Sequence, residues 1–215
     1  MRLKTIIESS YILFAKLNEN TINITDLYYF YRLMKYFPKL IWEKVYLSPL
    51  NPDDAEVLAK WMNDMEITDW THKSPKVFWL LECKERLEKS SKWNNFQFAI
   101  IKKKWDELIW TTGLFDVNHI NQTAELGIMI WEKNEHNKWY WTDAITTLLN
   151  FGFNTLNLYN IYLWAKSFNK NWIACYKKCG FKEIWTRHHC EYCQWEWHDL
   201  IFMELIKPDR EKLHK

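Results

Sequence analysis

Three places in the chain gather residue types that can do chemistry. The first is His136-Asn137-Lys138-Trp139-Tyr140-Trp141-Thr142-Asp143-Ala144. It runs into Ile145, Leu148, Leu149 and Gly152, whose offsets of 3, 4 and 7 predict a helix. A helix entrance carries backbone N–H groups without intrahelical partners and the positive end of the dipole. It binds phosphate when a ligand can approach the main chain. The second place is Glu125, within Ala124-Glu125-Leu126-Gly127-Ile128-Met129-Ile130. As a strand, this segment puts Glu125, Gly127 and Met129 on one face. A carboxylate there can take a proton from an ammonium, directly or through water; the alternative is a strand-edge glutamate making a structural hydrogen bond. The third place is His188-His189-Cys190-Glu191-Tyr192-Cys193 with His198, near Cys175 and Cys179. A Cys-x-x-Cys pair is half a zinc site. Only one pair is present and it falls in an expected hairpin, so these residues are read as lining an acceptor side, and no metal is assigned.

Two amino acids are out of proportion. The chain of 215 residues has 4 glycines and 15 tryptophans, where average usage of about 7% would give roughly 15 glycines. The simplest reading is that many tryptophans stand at positions meant for glycine. A UGA codon read as glycine in some bacterial lineages, but translated as tryptophan, would produce this pattern. A protein truly rich in tryptophan would bury its indoles at apolar positions. Trp105, in Lys103-Lys104-Trp105-Asp106-Glu107, and Trp195, in Gln194-Trp195-Glu196, stand instead in polar turns. Trp139 and Trp141 flank Tyr140 at a helix start, whereas Trp61 lies on an apolar helical stripe with Leu58 and Met62 and is read as genuine. With glycine at 139 and 141 the helix entrance reads N-K-G-Y-G-T-D-A, a glycine-rich turn that lets a pyrophosphate reach the main chain.

The rest of the composition bounds the class. Hydrophobic residues at 48% and charged residues at 26% suit one globular domain. The balance of 29 Lys+Arg against 27 Asp+Glu gives +2, too even to predict nucleic-acid binding. No apolar run approaches the ~20 residues of a membrane span. Glu8 interrupts the short apolar start and no small-residue cleavage site follows, so no signal peptide is assigned. An odd count of five cysteines suggests a reducing cytoplasm.

These residues need elements to position them. Residues 1–41 form an aromatic, helical extension, with Asp26 capping Leu27, Phe30, Tyr31 and Met34 before Pro38, or else reflect a start set too far upstream. Lys44–Leu47 predicts a strand. Asn51-Pro52 starts a helix carrying Ala55, Leu58 and Met62 on one face, and Ser74-Pro75 starts a second helix to about Lys89. Strands follow at Phe96–Ile100, Leu108–Val117 and Thr123–Ile130, then the helix containing Ile145. A strand at Ile161–Lys166, a helix at Asn171–Cys179 and strands at Phe181–His188 and Glu196–Ile206 close an α/β order. The main domain is set at 42–207, with a polar tail at 208–215.

The segment from His136 to Thr142 resembles the acetyl-CoA loop of the GNAT superfamily of N-acetyltransferases, Q/R-x-x-G-x-G/A. His136 stands at the Q/R position and tryptophan at both glycine positions. A second block, Asn169-Lys170-Asn171-Trp172-Ile173-Ala174-Cys175-Tyr176-Lys177-Lys178-Cys179-Gly180-Phe181, resembles the family's N-x-x-A-x-x-x-Y-x-K-x-G-F signature, with Trp172 in place of a small residue. The end His198-Asp199-Leu200-Ile201-Phe202-Met203 is similar to the branch holding ribosomal-protein alanine and spermidine N-acetyltransferases. The resemblance spans about Glu43 to Ile206. It implies a mixed, mostly antiparallel sheet, splayed between its fourth and fifth strands and flanked by helices. It also implies acetyl-CoA as cosubstrate and direct transfer to a primary amine, on a protein N-terminus or a small amine such as a polyamine. Ile128, Met129, Ile130, His136, Asn137, Lys138, Trp139, Tyr140, Trp141, Thr142 and Asn169 would bind the cosubstrate, with backbone N–H groups near Met129 holding the carbonyl. Tyr176 would be the general acid beside the sulfur, or else a buried aromatic of the helix face. Asp64, Glu66 and Asp69 would attract a polycation, or are solvated surface. Neither nucleic acid nor membrane is an expected partner, and a homodimer is one allowed oligomeric state. If Trp139 and Trp141 are genuine, the competing class is a non-catalytic CoA-binding or interaction module.

Overall fold

The computed structural model describes residues 35–68, 76–91, 95–104, 106–130, 140–193 and 195–212. The helix expected at 26–34, the Ser74-Pro75 start, Asp69, Trp105 and His136–Trp139 lie outside them. The chain divides into two compact units, Met1–Phe37 and Pro38–Lys215, and every element below belongs to the second.

Eight strands form one sheet in the order β1-β2-β3-β4-β5-β6-β8-β7. They are β1 Leu40–Ile41, β2 Val45–Pro49, β3 Phe96–Lys102, β4 Glu107–Asn118, β5 Thr123–Ile130, β6 Asn160–Lys166, β7 Lys182–Cys193 and β8 Glu196–Ile206. Every pairing is antiparallel except β5 with β6. That one is parallel because α4 (Tyr140–Asn150) and a π turn (Phe151–Thr155) return the chain to the same end. Helices α1 (Ala55–Met62), α2 (Met65–Thr68) and α3 (Leu80–Glu88) join β2 to β3, α5 (Lys170–Lys178) joins β6 to β7, and α6 (Lys207–Lys212) follows β8.

Local chemistry sets the boundaries. The Asn51 side chain accepts the Asp53 N–H at 2.9 Å and Pro52 takes the first position of a 3₁₀ turn leading into α1. Asn63 clasps Phe78, accepting its N–H at 2.9 Å and donating to its carbonyl at 2.7 Å. That clasp seats Phe78 with Ala55, Met62, Cys83 and Leu87 in a small core under α1 and α3. The main core joins Ile100, Trp110 and Leu114 of the sheet to Ile145, Leu148 and Leu149 of α4 and to Ile161, Leu163 and Met203. The apolar face read from the sequence at 145, 148 and 149 is therefore fully buried.

Four expectations need correction. The second helix begins at Leu80, after the extended Trp79 (ψ 143°), because Asn63 binds the backbone of Phe78 just ahead of it. β7 continues past His188 to Cys193, so the Cys-x-x-Cys pair lies on the first strand of the expected hairpin, which β7 forms with β8. The strand survives because a bulge between Arg187 and Glu191 absorbs His189, at φ 45°. α6 follows β8 directly, and there Arg210 is buried and donates to Asn150 Oδ1 at 3.4 Å, without bearing on the polar tail set at 208–215. Trp141, expected to avoid an apolar burial site, is only 7% exposed, because its turn of α4 faces Trp172 of α5. β1 is not among the expected strands, so the opening between the fourth and fifth of those falls between β5 and β6.

The other tryptophans divide sharply. Trp110 is fully buried and Trp61 stacks on it with ring centroids 4.3 Å apart. Trp195 is 89% exposed in the β7–β8 turn at φ 66°, a conformation that favours glycine. Holding a non-glycine residue there costs about 1–2 kcal/mol, offset by the roughly 0.5–1 kcal/mol of extra chain entropy that glycine loses on folding. Trp195→Gly is therefore expected to leave the melting temperature unchanged or raise it by a few degrees. Trp110→Gly should lower it severely, since truncating a buried Trp costs about 3–5 kcal/mol. Scanning calorimetry of the two variants checks this.

Candidate active site

β5 and β6 touch over three residue pairs only, Thr123↔Asn160, Ala124↔Ile161 and Glu125↔Tyr162. Beyond Glu125 each strand stays with its other neighbour. Leu126 to Ile130 pair with Leu114 to Trp110 of β4, and Leu163 to Lys166 pair with Met203 to Leu200 of β8. The sheet thus opens as a wedge. In an antiparallel pair alternate residues turn N–H and C=O away from the partner, so on β5 half of these groups between Leu126 and Ile130 face the opening. They offer a strand-like ligand a row of hydrogen-bonding sites, and Ile128, Met129 and Ile130 all lie on this flank. A Cβ at Gly127 would sit 2.6 Å from Phe115 Cε2, so the Phe115 ring would have to shift to admit one.

Glu125 stands at the last paired position before the wedge. Its Oε1 accepts the indole N–H of Trp164 at 3.0 Å, from the residue two beyond Tyr162 and so on the same face of β6. The Tyr162 hydroxyl is held above its ordinary pKa by burial first, then by the Glu125 and Asp116 carboxylates. Glu125 is half-buried and oriented by an indole, which suits a carboxylate that must receive a proton from a defined direction.

Tyr176 lies on α5, buried, with Trp172 and Phe181 rings at 5.7 and 6.0 Å. Burial, and to a lesser degree the Cys175 and Cys179 sulfurs, push its hydroxyl above the ordinary tyrosine range. It is therefore a phenol throughout the neutral range. Asn169 is the N-cap of α5, its carbonyl accepting the Trp172 and Ile173 N–H groups at 3.1 Å. Its side chain makes no cap bond.

The described part of the expected loop is the first turn of α4. Thr142 Oγ1 lies 3.8 Å from Cys175 Sγ, and the Trp141 ring lies 6.1 Å from that of Trp172. The first turns of α4 and α5 therefore adjoin. The Cys175 thiol is lowered to about 7, by the Cys179 hydrogen bond first and by Thr142 next, against the effect of burial. Neither Trp164 as the partner of Glu125 nor Cys175 as the partner of Thr142 was legible in the sequence. A strand at Ile161–Lys166 puts Trp164 on the same face as Tyr162, but pairing partners come only from register. Among the described residues no group of three or more His, Cys, Asp or Glu is placed to hold a metal ion. Among them, too, no helix is long and apolar enough to cross a membrane.

A mostly antiparallel sheet thus opens between two parallel strands beside a helix entrance. Residues 44–182 match the family described as the Acetyltransferase (GNAT) domain. The chain belongs to that family and is an N-acetyltransferase with acetyl-CoA as cosubstrate. It is 25% identical over 175 residues to the uncharacterized N-acetyltransferase p20 of Bacillus licheniformis, covering 79% of this chain and 97% of that protein. It is 35% identical over 102 residues to the spermidine N(1)-acetyltransferase of Escherichia coli K12, covering 47% of this chain and 54% of that protein. The crystal structure of spermidine N-acetyltransferase from Vibrio cholerae, in complex with CoA and spermine, has the same fold. Its TM-score is 0.71 at 22% identity, over 78% of this chain and 98% of that one.

The fit of acetyl-CoA to these residues is uneven. The β5 edge suits an extended, amide-containing arm, and the α4 entrance suits phosphate. The buried Trp141 indole, at 6.1 Å from Trp172, fills space between α4 and α5.

Proposed function

We propose that the chain transfers acetyl from acetyl-CoA directly to a primary amine of a polyamine, with Glu125 as base and Tyr176 as acid. The observation that carries this is Glu125 at the mouth of the β5–β6 wedge, held by Trp164 at 3.0 Å. The amine must lose a proton to become a nucleophile, and Glu125 accepts it directly or through water. The amine nitrogen then bonds to the acetyl carbon, while the exposed N–H groups of β5 near Met129 steady the carbonyl oxygen. As the C–S bond breaks, Tyr176 gives its phenolic proton to the leaving sulfur. Asn169 supports the cosubstrate from the start of α5.

The spermidine acetyltransferases among the relatives support a polyamine acceptor, and a protein N-terminus is the alternative acceptor. Acidic attraction supports it less than the sequence suggested. Asp64 is the N-cap of α2, its Oδ1 accepting the Glu66 N–H at 3.0 Å, and of these two carboxylates, both among the described residues, Glu66 is the exposed one. Release of CoA thiol with spermidine, with an alanine-starting peptide and with neither separates these cases. The proposal expects turnover with spermidine well above both others; preference for the peptide would move the acceptor to a protein N-terminus.

A second reading has one specific observation in its favour, the packing of Trp141 against Trp172. If Trp139 and Trp141 are true residues, the reading of a non-catalytic CoA-binding or interaction module gains weight. We favour misread UGA codons. The glycine-like φ of the exposed Trp195 supports this, and the codons at 139, 141 and 195 test it.

Glu125→Gln is expected to lower kcat/KM most near neutral pH, with the loss shrinking as pH rises. Glutamine keeps the acceptor for the Trp164 indole but cannot take a proton, and free amine becomes abundant only at high pH. A pH–rate profile against the parent decides this. Parallel profiles would leave Glu125 a structural role and assign the proton to water or another residue.

A further inference from the structure

Asp143, in the first turn of α4, is buried. Its Oδ2 accepts two consecutive backbone N–H groups from another part of the chain, Lys44 at 2.9 Å and Val45 at 3.0 Å. Those amides are themselves fixed. Trp42 N–H donates to the Val45 carbonyl at 3.2 Å, closing the β1–β2 turn, and Lys103 N–H donates to the Lys44 carbonyl at 3.1 Å. A second contact from the same turn of α4 lands on the same spot. The Lys102 ammonium, paired with Glu107 at 3.3 Å, lies 5.6 Å from the Tyr140 ring centroid. Val45 and Lys102 are cross-strand partners, so both contacts grip one residue pair at the end of β2 and β3.

A carboxylate in the first turn of a helix is favoured by the dipole, yet it competes with an anionic ligand for the same positive end. Here both N–H bonds converge on one oxygen, and an amide carbonyl oxygen can accept the same two bonds, though more weakly than a carboxylate. The contact calls first for an acceptor oxygen at that point. We propose that Asp143 is a positioning residue for acetyl-CoA. By tying the first turn of α4 to the Lys44–Val45 backbone, it fixes where the N-terminal amides of α4 point. This rests on the reading of the α4 entrance as part of the cosubstrate site.

The test compares Asp143→Ala and Asp143→Asn in the Trp139→Gly/Trp141→Gly background. Titration calorimetry gives the acetyl-CoA Kd, steady-state kinetics give the spermidine KM, and amide hydrogen exchange follows Lys44, Val45 and Ala144–Thr147. Losing a two-bond anchor should raise the acetyl-CoA Kd roughly 10–100-fold in the alanine variant. The spermidine KM should stay within about two-fold, the range of small indirect effects. Exchange should quicken at the named amides and not in β6 or α5. Asparagine should restore both affinity and protection, since its oxygen accepts the same bonds. Equal affinity in the alanine variant, or a loss spread alike over Kd, KM and protection of the whole domain, would overturn the proposal. A failure of asparagine to rescue would also overturn it. A background chain that binds no acetyl-CoA would instead overturn the site reading and the proposal with it.

Discussion

Replacing Trp139 and Trp141 together by glycine is expected to tighten acetyl-CoA binding by roughly 10²–10⁴-fold. The backbone N–H groups of a helix entrance bind a pyrophosphate only when no side chain stands between them and the ligand. Each charge-assisted hydrogen bond is worth about 1.5–3 kcal/mol, and restoring two gives that range. Trp141 is the more informative of the two, because its indole is buried against Trp172. In a protein built around that indole, removing it costs about 3–5 kcal/mol, as for other buried tryptophans. In a protein built for glycine, the variant melts no lower than the chain as written. Calorimetric titration and a thermal melt of the same sample separate the two. Equal affinity together with a large loss of stability would make the tryptophans genuine and favour the non-catalytic module.

Tyr176→Phe is expected to lower kcat by roughly 10²–10⁴-fold, the usual contribution of a positioned acid, with acetyl-CoA affinity nearly unchanged. The ring contacts with Trp172 and Phe181 survive the change, so stability should hold. Burial raises the hydroxyl above its ordinary pKa, so the acid stays protonated at neutral and moderately alkaline pH. Turnover of the parent should accordingly show no alkaline limb from this group below about pH 10, the ordinary tyrosine value. Single-turnover rates at saturating acetyl-CoA isolate the chemical step. An unchanged rate there would return Tyr176 to the core.

Much of the fold was legible because its signals are local and periodic. The alternation at Phe96, Phe98 and Ile100, the spacing of Ile145, Leu148 and Leu149, and the Asn51-Pro52 start each reappear as β3, α4 and the turn into α1. What was missed has no period to read. β1 is two residues long, fixed by pairing with Tyr46 and Leu47. The start of α3 depends on Asn63, fifteen positions before Phe78. The run of β7 to Cys193 passes a bulge that breaks the alternation of a strand. In the site, the types and places of Glu125 and Tyr176 came from the sequence. Their partners did not, because Trp164 and the Lys44–Val45 amides meet Glu125 and Asp143 only through tertiary register.

The central claim is that acetyl-CoA lies in the wedge between β5 and β6. Amide hydrogen exchange of the Trp139→Gly/Trp141→Gly chain, with and without saturating acetyl-CoA, tests it most directly. The wedge leaves alternate N–H groups of Leu126–Ile130 without a strand partner, so these should exchange quickly alone and slow down on binding, together with the first turn of α4. The paired amides of β3 and β8 should change little. Protection that appears elsewhere, while Leu126–Ile130 exchange as before in a chain shown to bind acetyl-CoA, would contradict the account.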